Sequence, residues 1–197
     1  MKEDIEWIRG WCEDTVKEDL PRVLLIGDSI NEGYQGKVRE ILKGVCYVDY
    51  ISTSYSIEME IYERFILGFE KDSKYDIVHF NNGLHGEDIA VEVYKAKMHE
   101  LLKKLKCRNI ILATSTRIYN KGNETIDEKW EKRLEKINFA VKELAEKEGY
   151  ILDDLYEVSK LIPKEQRNDD GTHYTDEGYS IFAKHVNRII KDALKRI

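Results

Sequence analysis

Short apolar runs alternate along the chain with longer segments whose apolar residues recur every three or four positions. The runs predict strands, and each is bounded by Gly, Asp, Asn or Ser: Arg22–Ile26, Val45–Ile51, Asp76–Phe80, Asn109–Ala113 and Tyr150–Leu152. The periodic segments between them predict helices at Asn31–Lys43, Val91–Leu105, Ile126–Lys147 and Asp176–Leu194.

Repeated alternation of strands and helices is typical of a parallel sheet that helices cover on both faces. We therefore expect an α/β protein with a flavodoxin-like sheet of about five strands. The opening segment Glu3–Thr15, with Ile5, Ile8 and Cys12 spaced three and four apart, is interpreted as a short helix packed on this domain. No repeat or linker-like stretch divides the chain, so residues 1–197 are expected to form one domain.

The composition of the chain argues against some classes of binding partner. With 38 acidic and 32 basic residues the net charge is −6, which argues against a nucleic-acid binder that gains affinity by neutralising phosphates. No apolar run approaches the ~18 residues of a membrane span, so no membrane partner is expected. The start of the sequence, Met1 to Glu6, lacks the order of charges and apolar residues that a signal peptide has. We expect a cytoplasmic protein, and homo-oligomer formation stays open.

The first candidate for chemistry follows the first predicted strand, in the stretch Gly27-Asp28-Ser29. In an open α/β sheet, ligands bind beyond the carboxyl ends of the strands. Ser29 would stand at the start of a helix, where backbone amides and the helix dipole stabilise a developing oxyanion. Ser29 is thus a candidate nucleophile, and the alternative is that it only caps the helix.

A second candidate lies just before the last helix, where Asp170 precedes His173 by three residues. In a turn, the carboxylate can bind the Nδ1–H of the imidazole and leave Nε2 free as a base. The alternative is an ordinary turn followed by a helix cap at Thr175. Because a serine nucleophile needs such a base, the presence of Ser29 favours the catalytic interpretation.

The third candidate stretch follows the middle strand. Asn81, Asn82 and His85 could each donate an N–H to an oxyanion, although Asn-Asn-Gly is also typical of an ordinary turn. His79, inside the strand, is interpreted as a core histidine. His99 and His185 fall within predicted helices and are interpreted as surface residues.

These three stretches, in this order, resemble the motifs of the SGNH hydrolase superfamily, also called GDSL esterases and lipases. The stretches Pro21–Ile30 and His79–His85, with Gly33-Tyr34, are similar to a bacterial branch associated with carbohydrate deacetylation. The resemblance implies a three-layer α/β/α sandwich with no metal and no organic cofactor. It also implies that Ser29 is the nucleophile, His173 the base and Asp170 its orienting partner.

The sequence departs from the family pattern at the oxyanion hole. The family's second motif supplies a glycine amide, and the stretch Tyr50–Ser56 has no glycine, which leaves Thr53 or Ser54 as candidates. In the third motif His85 stands where the family has an asparagine. The oxyanion donors are therefore the Ser29 amide together with His85, or Asn82 or Asn81 in a shifted alignment.

The function we expect from this resemblance is hydrolysis of a carboxylic ester, with a short acyl group such as acetate on a sugar or similar small molecule. Tyr34, Asn81 and Arg117 are candidate substrate-binding residues, and Tyr55, Tyr119 and Trp130 are further aromatic residues that could line a sugar site. Two alternatives remain open at this point. One is a lipase or thioesterase acting on longer acyl chains, and the other is a ligand-binding protein whose oxyanion hole has decayed.

Overall fold

The computed structural model describes residues 4–197. Its strands are β1 (Ile8–Trp11), β2 (Arg22–Gly27), β3 (Tyr47–Thr53), β4 (Ile77–Phe80), β5 (Ile110–Ala113) and β6 (Ile151–Asp153). Its helices are α1 (Ser29–Leu42), α2 (Glu60–Lys71), α3 (Val91–Lys104), α4 (Glu128–Glu148), α5 (Leu155–Lys160) and α6 (Asp176–Leu194), with a 3-10 turn at Lys164–Gln166. No helix in this part of the chain is long and apolar enough to cross a membrane.

The sheet has the strand order β1-β3-β2-β4-β5-β6. Strands β2 to β6 run parallel, in the flavodoxin-like order that the alternation predicts. Side chains of β2 alternate between the two faces: Leu24 and Ile26 pack with α2, α3 and α4, whereas Val23 and Leu25 pack with α1, α5 and α6. The three-layer α/β/α sandwich is therefore confirmed, with one strand more than expected.

The extra strand corrects the interpretation of the N-terminal segment. The predicted helix at Glu3–Thr15 is wrong for the described part, since β1 pairs antiparallel with β3 and Ile8 stands opposite Thr53; Glu3 itself lies outside the described residues. Beyond β1, the buried Arg22 donates to the backbone carbonyls of Glu13 and Asp14, at 3.0 and 2.8 Å. These contacts and the pairing with β3 outweigh the helix-like apolar spacing.

Helix α2 is an element that the sequence analysis missed. It begins after Met59, which makes no side-chain capping hydrogen bond, so the usual start signal is absent. Its buried face consists of Tyr62, Ile66 and Glu70. The Glu70 carboxylate accepts hydrogen bonds from the backbone amides of Lys106 and Cys107, both at 2.9 Å, which explains how an acidic side chain fits on the buried face.

A buried cluster of three polar side chains joins two strands to α6. Asp153, at the end of β6, contacts Nε2 of His79 and Nε2 of His185, both at 2.8 Å. Burial by itself raises the pKa of Asp153, but the hydrogen bonds from the two imidazoles outweigh it and the pKa is lowered. His79 is a core histidine as predicted, whereas His185 is not a simple surface residue, because only 21% of its side chain is exposed.

Helix α1, which begins with the predicted nucleophile Ser29, packs closely against α6, which follows the predicted base His173. A Cβ atom on Gly33 would overlap the ring of Tyr179, so the ring lies directly on the α1 backbone one turn after Ser29. The Tyr179 ring also stacks edge-to-face on Tyr174, with centroids 5.7 Å apart. Burial raises the pKa of Tyr179. The close approach fixes the spacing between the start of α1 and the segment that leads into α6.

We expect Asp153→Asn to lower the free energy of unfolding at pH 7 by about 1.5–3 kcal/mol, since it removes a buried charge that binds two imidazoles. Because the folded pKa of Asp153 lies below the unfolded value of about 3.9, its contribution is present above about pH 4 and is lost as pH falls through the folded pKa. Urea denaturation at several pH values measures both effects. The control is Asp192→Asn, which breaks an exposed pair with Lys195 and should change little. Equal stability of the Asp153 variant and the wild type at pH 7 would contradict this account.

Two glycines of α1 provide a matched pair for the packing against α6. Gly36 has no atom within 4 Å of an added Cβ, so Gly36→Ala should stabilise the protein by about 0.5–1 kcal/mol through helix propensity. Gly33→Ala gains the same propensity but must displace Tyr179, and we expect a net loss of about 1–3 kcal/mol from overpacking. Thermal or urea unfolding compares the two. Stabilisation by both substitutions would show that Tyr179 moves aside without cost.

Candidate active site

Ser29 is the first residue of α1, and one residue, Asp28, connects it to the end of β2. The helix is capped by the preceding residue: Asp28, which is 1% exposed, accepts the backbone N–H of Ile30 at 2.9 Å. A Cβ on Gly27 would overlap the Asn31 side chain, so the tight exit from the strand requires glycine there. The capping role considered for Ser29 thus belongs to Asp28, and the Ser29 hydroxyl makes a different contact.

Asp170 and His173 lie at the tip of a small hairpin between the 3-10 turn and α6. Its two sides are joined by the bridge between Arg167 and Tyr174 and by the amide of Asn168, which donates to the carbonyl of His173 at 2.9 Å. One oxygen of Asp170 accepts the backbone amides of Thr172 and His173, both at 2.8 Å. The hairpin therefore fixes the position of the Asp170 carboxylate independently of its contact with the imidazole.

The structure brings Ser29, His173 and Asp170 together. The second carboxylate oxygen of Asp170 lies 2.8 Å from His173 Nδ1, and His173 Nε2 lies 2.8 Å from Ser29 Oγ. Partial burial raises the pKa of Asp170, but the two amides and the imidazole outweigh it, and the pKa is lowered. An ionised carboxylate on Nδ1 holds the ring proton there, which leaves the Nε2 lone pair facing the serine hydroxyl.

A second hairpin, missed by the sequence analysis, holds the first one. It is closed by a bridge between Tyr119 and Ile126, within a stretch whose Gly122-Asn123 pair has the positive φ angles of a tight turn. The Tyr119 amide donates to the carbonyl of Gly171 at 2.8 Å, and the Arg167 guanidinium lies 3.7 Å from the centre of the Tyr119 ring. Helix α4 accordingly begins at Glu128, two residues later than predicted. The signal that could have revealed this hairpin is Lys121-Gly122-Asn123, a typical turn sequence.

The turn after β4 contains the candidate oxyanion donors. Asn81 uses its side chain to donate to the carbonyl of Ala113 at 3.0 Å, and Asn82, which is fully buried, donates to the carbonyl of Tyr55 at 3.2 Å. His85 is half-buried and lies between Gly83 and Gly86 in the same turn. Each asparagine side chain thus uses one N–H on the protein backbone, and Asn81, Asn82 and His85 all stay candidate donors.

Thr53, at the end of β3, contacts the N-terminal segment. Its hydroxyl donates to the carbonyl of Trp7 at 2.7 Å and accepts the amide of Tyr55 at 3.1 Å. Ser54 is engaged similarly, because its amide donates to the carbonyl of Trp7 and its hydroxyl accepts the amide of Trp7. An oxyanion role for Thr53 is left to its backbone, and it stays a prediction.

The structure corrects the candidate substrate-binding residues. Tyr34 is 1% exposed and packs in the core between His79 and Phe182, so the prediction that it binds substrate is wrong. Arg117 pairs with both carboxylate oxygens of Glu131 and also donates to the hydroxyl of Tyr156. Its guanidinium is thus engaged within the protein, as is the side chain of Asn81, and neither contact favours a role in substrate binding.

The other aromatic residues suggested for a sugar site differ from Tyr34 in their burial. Tyr55, Tyr119 and Trp130 are all half-buried, so none is enclosed in the core as Tyr34 is. Trp130 packs against the cluster of Ile118, Leu134 and Tyr156, as does Leu84 of the turn after β4. These three side chains remain candidates for lining the site. Among residues 4–197 there is no group of three or more His, Cys, Asp or Glu side chains arranged to hold a metal ion.

Comparison with known proteins gives matches at the level of structure. No protein-family model matches the sequence, and no curated protein matches it either. A lipase/acylhydrolase from Enterococcus faecalis superposes with a TM-score of 0.70 at 17% identity, covering 87% of this chain and 96% of that one. A GDSL-like lipase from Parabacteroides merdae gives 0.66 at 18% identity, covering 87% of this chain and 95% of the other.

The acetylxylan esterase Axe2 from Geobacillus stearothermophilus is a third similar structure. Its TM-score is 0.68 at 20% identity, over 86% of this chain and 94% of Axe2. Two further structures of Axe2 are of catalytic mutants, in which a serine and a histidine are replaced by alanine. The chain therefore has the fold of the SGNH, or GDSL-like, hydrolases, and the resemblance predicted from its motifs is confirmed at the level of the fold.

Proposed function

We propose that this protein is an SGNH-type serine esterase that removes a short acyl group, such as acetyl, from a carbohydrate or similar small hydroxylated molecule. The observation that supports this most directly is the continuous contact from Asp170 through His173 to Ser29, with both distances at 2.8 Å. A hydroxyl, an imidazole and a carboxylate in this order are the parts that serine acyl transfer needs.

In the proposed reaction, Ser29 Oγ attacks the ester carbonyl carbon as His173 Nε2 takes its proton. The tetrahedral intermediate collapses when the bond to the alcohol oxygen breaks, and His173 returns the proton to that oxygen. Water then repeats the sequence on the acyl-enzyme, again with His173 as base, and releases the carboxylic acid and free Ser29. Asp170 keeps the imidazole in the required tautomer and stabilises its charged form.

The proposed oxyanion site combines a backbone and a side-chain donor. Ser29 is the first residue of α1, where backbone amides have no acceptor within the helix, so its N–H can serve the developing charge. For the second donor we favour His85, because it stands where the family pattern has its asparagine donor. His85 would act by donation alone.

The acyl chain and the alcohol are the least constrained parts of the proposal. Axe2, one of the similar structures, is an acetylxylan esterase, and the half-buried Tyr119 and Trp130 provide rings of the kind that sugars stack on. The lipase/acylhydrolase among the similar structures favours longer acyl chains as the second candidate. Rates on p-nitrophenyl esters from acetate to decanoate separate the two, since we expect kcat/KM to fall as the chain lengthens.

Ser29→Ala should lower kcat on p-nitrophenyl acetate by about 10³-fold or more while the protein stays folded, because loss of a triad nucleophile removes several orders of magnitude. Ser180→Ala, on the first turns of α6, is a matched serine control and should leave the rate unchanged. Retention of more than about a tenth of the wild-type rate by the Ser29 variant would contradict the assignment. A wild-type protein without any turnover would favour the ligand-binding alternative.

His85→Ala should lower kcat by roughly 10²–10³-fold with little change in KM, since an oxyanion donor strengthens its bond only as charge develops. His85→Asn restores an N–H donor and should recover part of the loss. Steady-state kinetics of these variants and of Asn82→Ala identify the donor. Full activity in His85→Ala together with a large loss in Asn82→Ala would move the role to Asn82.

A further inference from the structure

The turn after β4 is held from its outer side by one arginine of α4. Arg133 Nη1 donates to the carbonyl of Ile89 at 3.0 Å, and Nη2 donates to the carbonyl of Gly86 at 2.6 Å. Both carbonyls belong to residues 81–90, the connection between β4 and α3 that contains Asn82 and His85. A single guanidinium thus spans the C-terminal half of the turn.

This connection has little regular structure of its own. Gly86 adopts a φ of +84°, and its carbonyl also accepts the amide of Ile89 at 3.0 Å, which closes the chain into a tight turn. A Cβ on Gly86 would overlap Ser56 Oγ and the Ile89 side chain. The turn therefore already touches the segment after β3, and Arg133 adds two hydrogen bonds from α4.

An arginine suits this position because its planar fork reaches two carbonyl oxygens at once. Burial lowers the pKa of Arg133, while the nearby carboxylates of Glu87 and Asp88 act in the opposite direction. A guanidinium stays charged under these conditions, so both hydrogen bonds are charge-assisted. A lysine would keep the charge but could not hold both carbonyls with the same geometry.

We propose that Arg133 is a positioning residue for the oxyanion site, which holds the turn at residues 83–89 so that the His85 ring faces Ser29. The proposal rests on the function proposed above and adds to it a residue that touches neither substrate nor the reacting atoms. Oxyanion donors are sensitive to such support, because misplacement by about 1 Å costs up to about 10²-fold in rate. Because Arg133 acts on the backbone of the turn and does not touch the substrate, we expect its replacement to change kcat rather than KM.

The test uses Arg133→Met and Arg133→Lys, with Lys136→Met on the exposed face of the same helix as control. We expect Arg133→Met to lower kcat on p-nitrophenyl acetate by about 10–100-fold with KM within about twofold. Arg133→Lys keeps the charge and should lose less activity. It also provides the test if the Arg133→Met variant fails to fold. Hydrogen exchange of peptides covering residues 81–90 should accelerate in both variants and not in the control.

A double-mutant cycle with His85→Ala distinguishes positioning from a general loss of structure. If Arg133 acts through His85, Arg133→Met should cost much less in the His85→Ala background than in the wild type. The same fold-change in both backgrounds, or unchanged exchange of residues 81–90, would overturn the proposal.

Failure of the positioning proposal is separable from failure of the proposed function. If hydrolysis depends on Ser29 but the effects of the Arg133 and His85 substitutions are additive in the double-mutant cycle, only the positioning role of Arg133 is excluded. A wild-type protein that hydrolyses no ester, or whose hydrolysis survives Ser29→Ala, removes the proposed function and the positioning role together.

Discussion

The 2.8 Å hydrogen bond between His173 Nε2 and Ser29 Oγ is the contact on which the site depends, because it joins residues 144 positions apart in sequence. Local structure places each partner but does not set the distance between them. Ser29 is fixed by the capped start of α1, and His173 by a hairpin whose tip contains Asp170. The packing of Tyr179 on Gly33 then sets the distance between the two helices, and the second hairpin holds Gly171 from the outside. Several independent contacts thus determine one distance.

Much of this arrangement is predictable from the sequence, for reasons that are local. Strands β2, β4 and β5 are buried on both faces, so they stand out as continuous apolar runs. The carboxyl ends of these strands lie at one edge of the sheet, which is why residues following β2 and β4 come together. The spacing of Asp170 and His173 suffices for their contact, because a single turn brings a carboxylate back onto an imidazole three residues later.

The elements that were not predicted depend on distant partners. The N-terminal segment has helix-like spacing, and it becomes β1 because the edge of β3 offers a row of hydrogen-bonding groups. The side chain of Tyr34 follows the core face of α1, so an aromatic residue next to a motif is no evidence of a binding surface. Arg117 is a substrate-binding candidate in the sequence and Arg133 belongs to no motif, whereas in the structure each is engaged by a partner that only the fold supplies.

The pairing of β1 with β3 has a consequence for the behaviour of the protein in solution. Strand β3 is seven residues long and buried along most of its length, and without β1 it would be the edge of the sheet. A long apolar edge strand with unpaired amides and carbonyls is a template for intermolecular pairing and aggregation. The four-residue β1, which is mostly exposed and contains Arg9, takes that edge position instead. The N-terminal segment therefore covers backbone amides and carbonyls of β3 that would otherwise lie exposed at the edge of the sheet, and removing it would expose them.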